Sequence, residues 1–174
     1  MTINYRRFNP DAALNEASFW ALAYQTLFQL EASIGDPLKP YLDSNDIPTM
    51  GVGFNLRERP IVANVLDAMG LDGSRMVGDA IFIDRILAEA AAVHATNSDL
   101  RTTLDDLLDE YNQAGTSSNR TTFSFEDIEE ATAAFTTISA DENNRLENWI
   151  GNATTPFSVP FSRERVALLS MIYQ

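Results

Sequence analysis

The chain has 174 residues, enough to bury roughly two thirds of the surface its unfolded form exposes, and a 45% hydrophobic and 21% charged composition excludes a disordered or low-complexity chain. Twenty-five acidic against twelve basic side chains give a formal net charge of -13, which argues against nonspecific association with nucleic acid or an anionic membrane, since both need clustered lysine and arginine. The absence of cysteine excludes a disulfide framework, a thiolate metal site and a cysteine nucleophile.

Met1 to Pro10 carries two arginines with no apolar stretch after them, so no cleavable secretory signal is expected and export would use another route. Asn9 or Asp11 can start a first helix, which runs through Leu14 to Ser33 and stops near Gly35-Asp36-Pro37. Its uncharged stretch, Ala17 to Leu30, is too short for a membrane span and contains Gln25, Thr26 and Gln29. Ala17, Trp20, Ala21, Tyr24, Leu27 and Phe28 recur at helical spacing, and the same stripe continues onto Glu31. A carboxylate in that place is either an acid desolvated for a purpose or a helix-end side chain reaching solvent.

From Tyr41 to Phe54 the period changes to two. Leu42 on one strand and Met50, Val52 and Phe54 on the next are expected to form an apolar face, with Asp43, Thr49, Gly51 and Gly53 on the other. Ser44 to Pro48 is the turn between those two strands. Glycines on an open strand face let a ligand or a second backbone approach closely, and the alternative reading of Gly51-Val52-Gly53 is a bulged hairpin.

The remainder reads as helical. Pro60 can open a helix that closes at Gly70. Asp79 to His94 presents Ile83, Ile86, Leu87, Ala90 and Val93 or His94 on one side, and Ser98 or Asp99 caps a further helix bearing Leu100, Leu104, Leu107, Leu108 and Tyr111. Gly115 to Thr122 is a polar loop, Ser124 can cap a helix over Phe125 to Ile138, and Ser139 or Asp141 can cap another reaching Ile150. Ser162 caps a last helix over Arg163 to Gln174. The acidic pairs Asp105-Asp106, Asp109-Glu110, Glu126-Asp127 and Glu129-Glu130 lie opposite apolar stripes and read as solvated helix faces.

Glycoside hydrolysis needs one protonated carboxyl group to donate to the leaving oxygen and one ionised carboxylate to activate water or attack the sugar. Burial at the end of an apolar stripe favours the neutral form of Glu31, and the wetter Asp43 would supply the ionised partner. With His94 the single histidine, multi-histidine metal chemistry is excluded and Ser-His-Asp chemistry nearly so, since His94 itself reads as a helix-end packing residue. Asp43-Ser44-Asn45-Asp46 lacks the glycine and later glutamate of a calcium loop, so neither metal nor cofactor is expected.

Glu31 ending a helix, then Tyr41-x-Asp43, then Thr49-x-Gly51-x-Gly53, resembles the catalytic segment of the phage-type lysozymes, muramidases that cleave peptidoglycan. Arg165 to Gln174 resembles the long central helix that lies across the cleft from the hairpin in that family. The two blocks cover about a quarter of the chain and occur in the family's order. The resemblance implies a predominantly helical α+β, lysozyme-like fold, with residues 11–57 as catalytic helix and hairpin, 58–160 as an enlarged helical insertion and 161–174 as the start of the central helix.

It further implies Glu31 as general acid, Asp43 orienting or activating the attacking water, and Thr49 helping to hold that water, in an inverting reaction. Asn55, Gly51, Gly53, Tyr173 and Gln174 are the implied glycan-binding positions. Three features depart from the family: Phe54 stands where a histidine is usual, Gly35 to Pro40 is inserted, and the sequence stops within the central helix. A further C-terminal segment or a second chain is therefore expected to complete the fold. The expected substrate is the muramic acid to glucosamine linkage of glycan strands in the periplasm or wall, reached by a phage lysin or a delivered bacteriolytic toxin, the latter with an immunity protein. The alternative from another class is a noncatalytic peptidoglycan-binding or assembly module on the same scaffold.

Overall fold

The structure, a computed structural model, describes residues 14–30, 36–71, 77–114, 119–151, 159 and 161–173. Among these the chain forms seven helices and three short strands. It is a mainly helical α+β protein, as the pattern of one short period-two stretch among 3.6-period segments predicts. No described helix is long and apolar enough to cross a membrane. The chain divides into two compact units, Met1–Leu27 with Ser139–Gln174, and Phe28–Ile138.

The first unit holds most of α1 (Glu16–Leu30) together with α6 (Ala140–Gly151) and α7 (Arg163–Tyr173). Asn15 caps α1: its Oδ1 accepts the Ser18 N–H at 2.8 Å and its carbonyl takes the Phe19 N–H, while Asn9 and Asp11, the expected starts, lie outside the described residues. Leu14 just before it is held outside the helix by donating to the Phe161 carbonyl at 2.7 Å. The buried stripe of α1 is Phe19, Trp20, Ala23, Tyr24 and Leu27. It shares Trp20, Tyr24 and Leu27 with the expected one but is rotated away from Ala17, which is exposed.

Ser162 caps α7 as its sequence predicts, with Oγ accepting the Arg165 N–H at 3.2 Å. Ser139 precedes α6 and accepts the Asn143 N–H on its carbonyl; its hydroxyl is buried and makes no bond among the described residues, so it is no side-chain cap. Arg165 is the polar centre of this unit. It is 5% exposed, its guanidinium lies 4.7 Å from the Phe161 ring centroid and 5.6 Å from that of Phe19, and it donates to the Val159 carbonyl. Its Nη2 also reaches Asn143 and Glu147, two residues one turn apart on α6, which ties α6 to α7.

The second unit contains an antiparallel sheet in the order β1 (Tyr41–Leu42), β2 (Pro48–Met50) and β3 (Phe54–Asn55). Three strands replace the expected two. Gly51 and Gly53 have φ of 61° and 102°, so Gly51-Val52-Gly53 is a turn and Phe54 opens a third strand. The glycines therefore occupy no strand face.

Four helices follow: α2 (Arg59–Ala68), α3 (Val77–Ala91), α4 (Asn97–Gln113) and α5 (Ile128–Ile138). Helix α2 opens with Pro60 in its first turn and closes at Gly70, as predicted. Gly70, at φ 68°, donates to the Asp67 carbonyl while Leu71 donates to that of Leu66, the paired bonds of a Schellman ending.

Along α3, Ile83, Ile86 and Ala90 are buried, but Val93 lies past the helix end and is 99% exposed. His94 beside it meets the Glu89 carbonyl at 2.8 Å through Nε2, a helix-end contact. Thr96, not Ser98 or Asp99, caps α4, because its Oγ1 accepts the Asp99 N–H. Leu100, Leu104, Leu107 and Leu108 are buried as expected. Phe82 stacks on Tyr111 at 4.3 Å between ring centroids, and Arg85 pairs with Glu110 at 2.7 Å, so α3 and α4 are joined by an aromatic and an ionic contact.

Helix α5 starts at Ile128 instead of Phe125, since Asp127 accepts the N–H groups of Glu129 and Glu130. The segment ahead of it is drawn into the core: Phe123 and Phe125 are buried, and Phe125 donates its N–H to the Leu38 carbonyl. Arg120 fixes the same segment by bonding the carbonyls of Met69 and Ser124 and pairing with Glu130. Asp105, half-buried on α4, accepts the Phe123 N–H at 2.6 Å, so it is a structural acceptor and not part of a solvated face.

Candidate functional site

The sheet brings together three of the residues chosen from sequence. Tyr41 pairs with Thr49, and Thr49 pairs with Asn55. Directly opposed residues on antiparallel strands share a face, so Tyr41, Thr49 and Asn55 form one row across the sheet. Asp43 follows directly on β1, at the start of the turn to β2. The other face carries Leu42 with Pro48 and Met50 with Phe54. The expected partition of Thr49 from Leu42, Met50 and Phe54 holds, and Asn55 shares the face of Thr49, while Asp43 lies past the paired residues.

Asp43 is half-buried at the end of β1. Its Oδ1 accepts the N–H groups of Asn45 at 2.7 Å and Ile47 at 2.9 Å, while its own N–H donates to the Ile47 carbonyl at 3.0 Å. Short polar side chains fold turns in this manner because the carboxylate substitutes for a backbone acceptor. Asp46 completes the turn with φ 57°. One oxygen of Asp43 is thus committed, and the other takes no protein hydrogen bond among the described residues. The carboxylate is oriented by the backbone and retains a free acceptor.

Thr49 is the position that the resemblance implies as helping to hold the attacking water. It is 3% exposed in the central strand, and its hydroxyl donates to the Ile47 carbonyl at 2.9 Å. Central strand position explains the burial: neighbours on both sides leave a β-branched side chain little access to water. Thr49 therefore bonds the carbonyl of the same residue, Ile47, whose N–H holds Asp43.

Asn55 is half-buried and spans the entry to α2. Its Oδ1 accepts the Arg57 N–H at 2.9 Å, and its Nδ2 donates to Glu58 Oε1 at 3.1 Å. Gly51 is buried beneath the Phe54 ring and Gly53 is exposed. Tyr173 closes α7 in the other unit, while Glu31 and Gln174 lie outside the described residues.

Several polar side chains that touch this hairpin from outside have no motif to announce them. Asn97 Oδ1 accepts the Leu42 N–H at 2.7 Å, and Arg101 Nε donates to the Pro40 carbonyl at 2.8 Å. Arg57 Nε donates to the Ala90 carbonyl at 2.8 Å, and its Nη2 meets the Asp46 carbonyl at 3.4 Å. Their only signal in the sequence is the scarcity of cations in so acidic a chain.

Asp36 lies near the start of this region. Burial raises the pKa of its carboxyl, but the Lys39 hydrogen bond, the Leu38 N–H and the charges of Lys39 and Arg101 outweigh that effect and hold it below the ordinary value. Among the described residues no group of histidine and carboxylate side chains could hold a metal ion. Comparisons with protein-family models, with curated proteins and with solved structures return no match.

Proposed function

We propose that this chain is a peptidoglycan hydrolase of the muramidase type on a lysozyme-like scaffold, cleaving the linkage between muramic acid and glucosamine by general acid catalysis. Glu31 donates the proton to the leaving oxygen, Asp43 orients the attacking water, and Thr49 maintains the turn that holds Asp43. The observation that carries this reading is the disposition of Asp43, with one oxygen fixed by two backbone N–H groups and the second available as an acceptor. An oriented carboxylate is what water activation requires. The order of Glu31, Tyr41-x-Asp43 and Thr49-x-Gly51-x-Gly53 along the chain supports it.

The substrate is a glycan strand, so action lies at the cell wall or in the periplasm. A net charge of -13 disfavours retention on an anionic wall and fits delivery by a larger carrier. Turbidity loss of purified cell walls tests the mechanism. The wild type is expected to lyse them and Glu31→Gln to fail; equal lysis by both overturns the assignment of the acid.

One observation favours a second reading, a noncatalytic peptidoglycan-binding module. The Thr49 hydroxyl is buried and committed to Ile47, and Asp43 already serves the turn, so both side chains have a structural occupation. Retention on insoluble walls without release of reducing ends would select this reading.

A further inference from the structure

We propose that Asn97 and Arg101 are positioning residues for Asp43, acting through the outer edge of β1. The proposal rests on the functional reading of Asp43 given above. In an antiparallel pair, successive residues direct their backbone groups alternately toward and away from the partner strand. The Asp43 N–H bonds the Ile47 carbonyl on the β2 side. The Leu42 N–H and the Pro40 carbonyl consequently point the opposite way, along an edge where no fourth strand lies among the described residues.

Helix α4 supplies both missing partners. Asn97 Oδ1 accepts from Leu42 at 2.7 Å, and Arg101 Nε donates to Pro40 at 2.8 Å. The spacing is matched. Four residues along a helix advance about 6 Å, and two residues along a strand advance about 6.7 Å, so side chains one helical turn apart meet backbone groups two residues apart.

Helix formation does not call for either side chain. Thr96 already caps α4, leaving Asn97 free of capping duty. Leu42 directly precedes Asp43, so any shift of the β1 edge is passed to the carboxylate through one peptide bond. Arg57 holds the turn from its other side by bridging Asp46 to the end of α3. The water-orienting group is thus set from its β1 side by a helix that begins more than fifty residues after it.

Asn97→Ala and Asn97→Asp in the full chain separate a positioning role from a structural one. Asn97 is exposed in the first turn of α4, where alanine and aspartate are both tolerated, so neither change should unfold the protein. Aspartate keeps the oxygen that accepts the Leu42 N–H. Asn97→Ala is expected to speed exchange of the Leu42 amide by about fivefold, and to lower kcat for wall lysis by about tenfold with KM changed less than about twofold. Asn97→Asp should restore both. Arg101→Ala should act in the same direction.

Lysis by the wild type with unchanged kcat in Asn97→Ala overturns the positioning role and leaves the muramidase reading standing. Failure of Asn97→Asp to restore kcat overturns it too. Absence of lysis by the wild type overturns the role of Asp43, and the positioning role with it, while Leu42 exchange then reports the edge bond alone.

Discussion

The Phe54 ring lies against the Gly51 α-carbon so closely that a Cβ there would fall 2.4 Å from Phe54 Cε2. Gly51 also has φ 61°, where side chains are strained. The turn from β2 to β3 is consequently built around a missing side chain. Gly51→Ala is expected to destabilise the protein by about 2–4 kcal/mol through strain and overpacking together. Gly53 has nothing within 4 Å of its Cβ position. Gly53→Ala should cost only the backbone strain, about 1–2 kcal/mol. Urea midpoints of the two variants give the comparison, and equal losses would mean the Phe54 contact is soft.

Asp43 can be tested without disturbing its turn. Asp43→Asn retains an oxygen for the Asn45 and Ile47 N–H groups but removes the charge to which the proposed mechanism gives the orienting of water. Stability should change by less than about 1 kcal/mol, while lytic activity should fall by about a hundredfold or more. Parallel thermal melts and wall-lysis rates decide it. Full activity in a folded Asp43→Asn would remove this residue from the mechanism.

Thr49→Val keeps the buried shape and deletes the hydroxyl that donates to the Ile47 carbonyl. A loss of about 1–2 kcal/mol is expected, because the buried carbonyl forfeits a partner. The turn around Asp43 should loosen with it, which faster amide exchange at Ile47 would reveal.

Arg165 sets the stability of the other unit. Lysine cannot reproduce a planar fork that packs against two adjoining phenylalanine rings and bonds Val159, Asn143 and Glu147 together. Arg165→Lys should destabilise α6 and α7 by about 2–4 kcal/mol. Chemical denaturation followed by Trp20 and Trp149 fluorescence measures it; an unchanged midpoint would make the cluster ornamental.

Acid weakens the Asp36 contact. Because the folded carboxyl titrates below its ordinary value, its stabilisation is present above the unfolded pKa near 3.8 and is lost as pH falls through the lower folded value. Asp36 and Lys39 are 40% and 52% exposed, so the contribution is below about 1 kcal/mol. Asp36→Asn should lower stability slightly at pH 7 and make no difference near pH 2. Denaturation midpoints at both pH values check the sign.

Much of the helical framework was legible because 3.6-residue stripes and end signals agree, as in α2 between Pro60 and Gly70 or α7 behind Ser162. Caps were misplaced where several candidates adjoin. Thr96 prevails over Ser98 and Asp99, and Asp127 over Ser124, because only their oxygens meet the first free N–H groups. The hairpin was legible as a region but not as three strands, since period two cannot distinguish a strand from a turn when glycines alternate with Val52.

Within the candidate site, Asp43 and Thr49 stood out as polar residues in an apolar pattern. The burial of Thr49 did not, because it depends on a third strand. Asn97 and Arg101 carry no local mark at all; their partners lie 55 and 61 residues away.

With the outward Leu42 N–H of β1 and the Pro40 carbonyl just before it already bonded by side chains of α4, this edge is a poor template for another extended chain. An extended chain, a second copy of the protein included, meets side chains of α4 there before it can pair with these two groups. The sheet's edges are therefore unequal: the β1 side is held by a helix, and β3 forms the other edge.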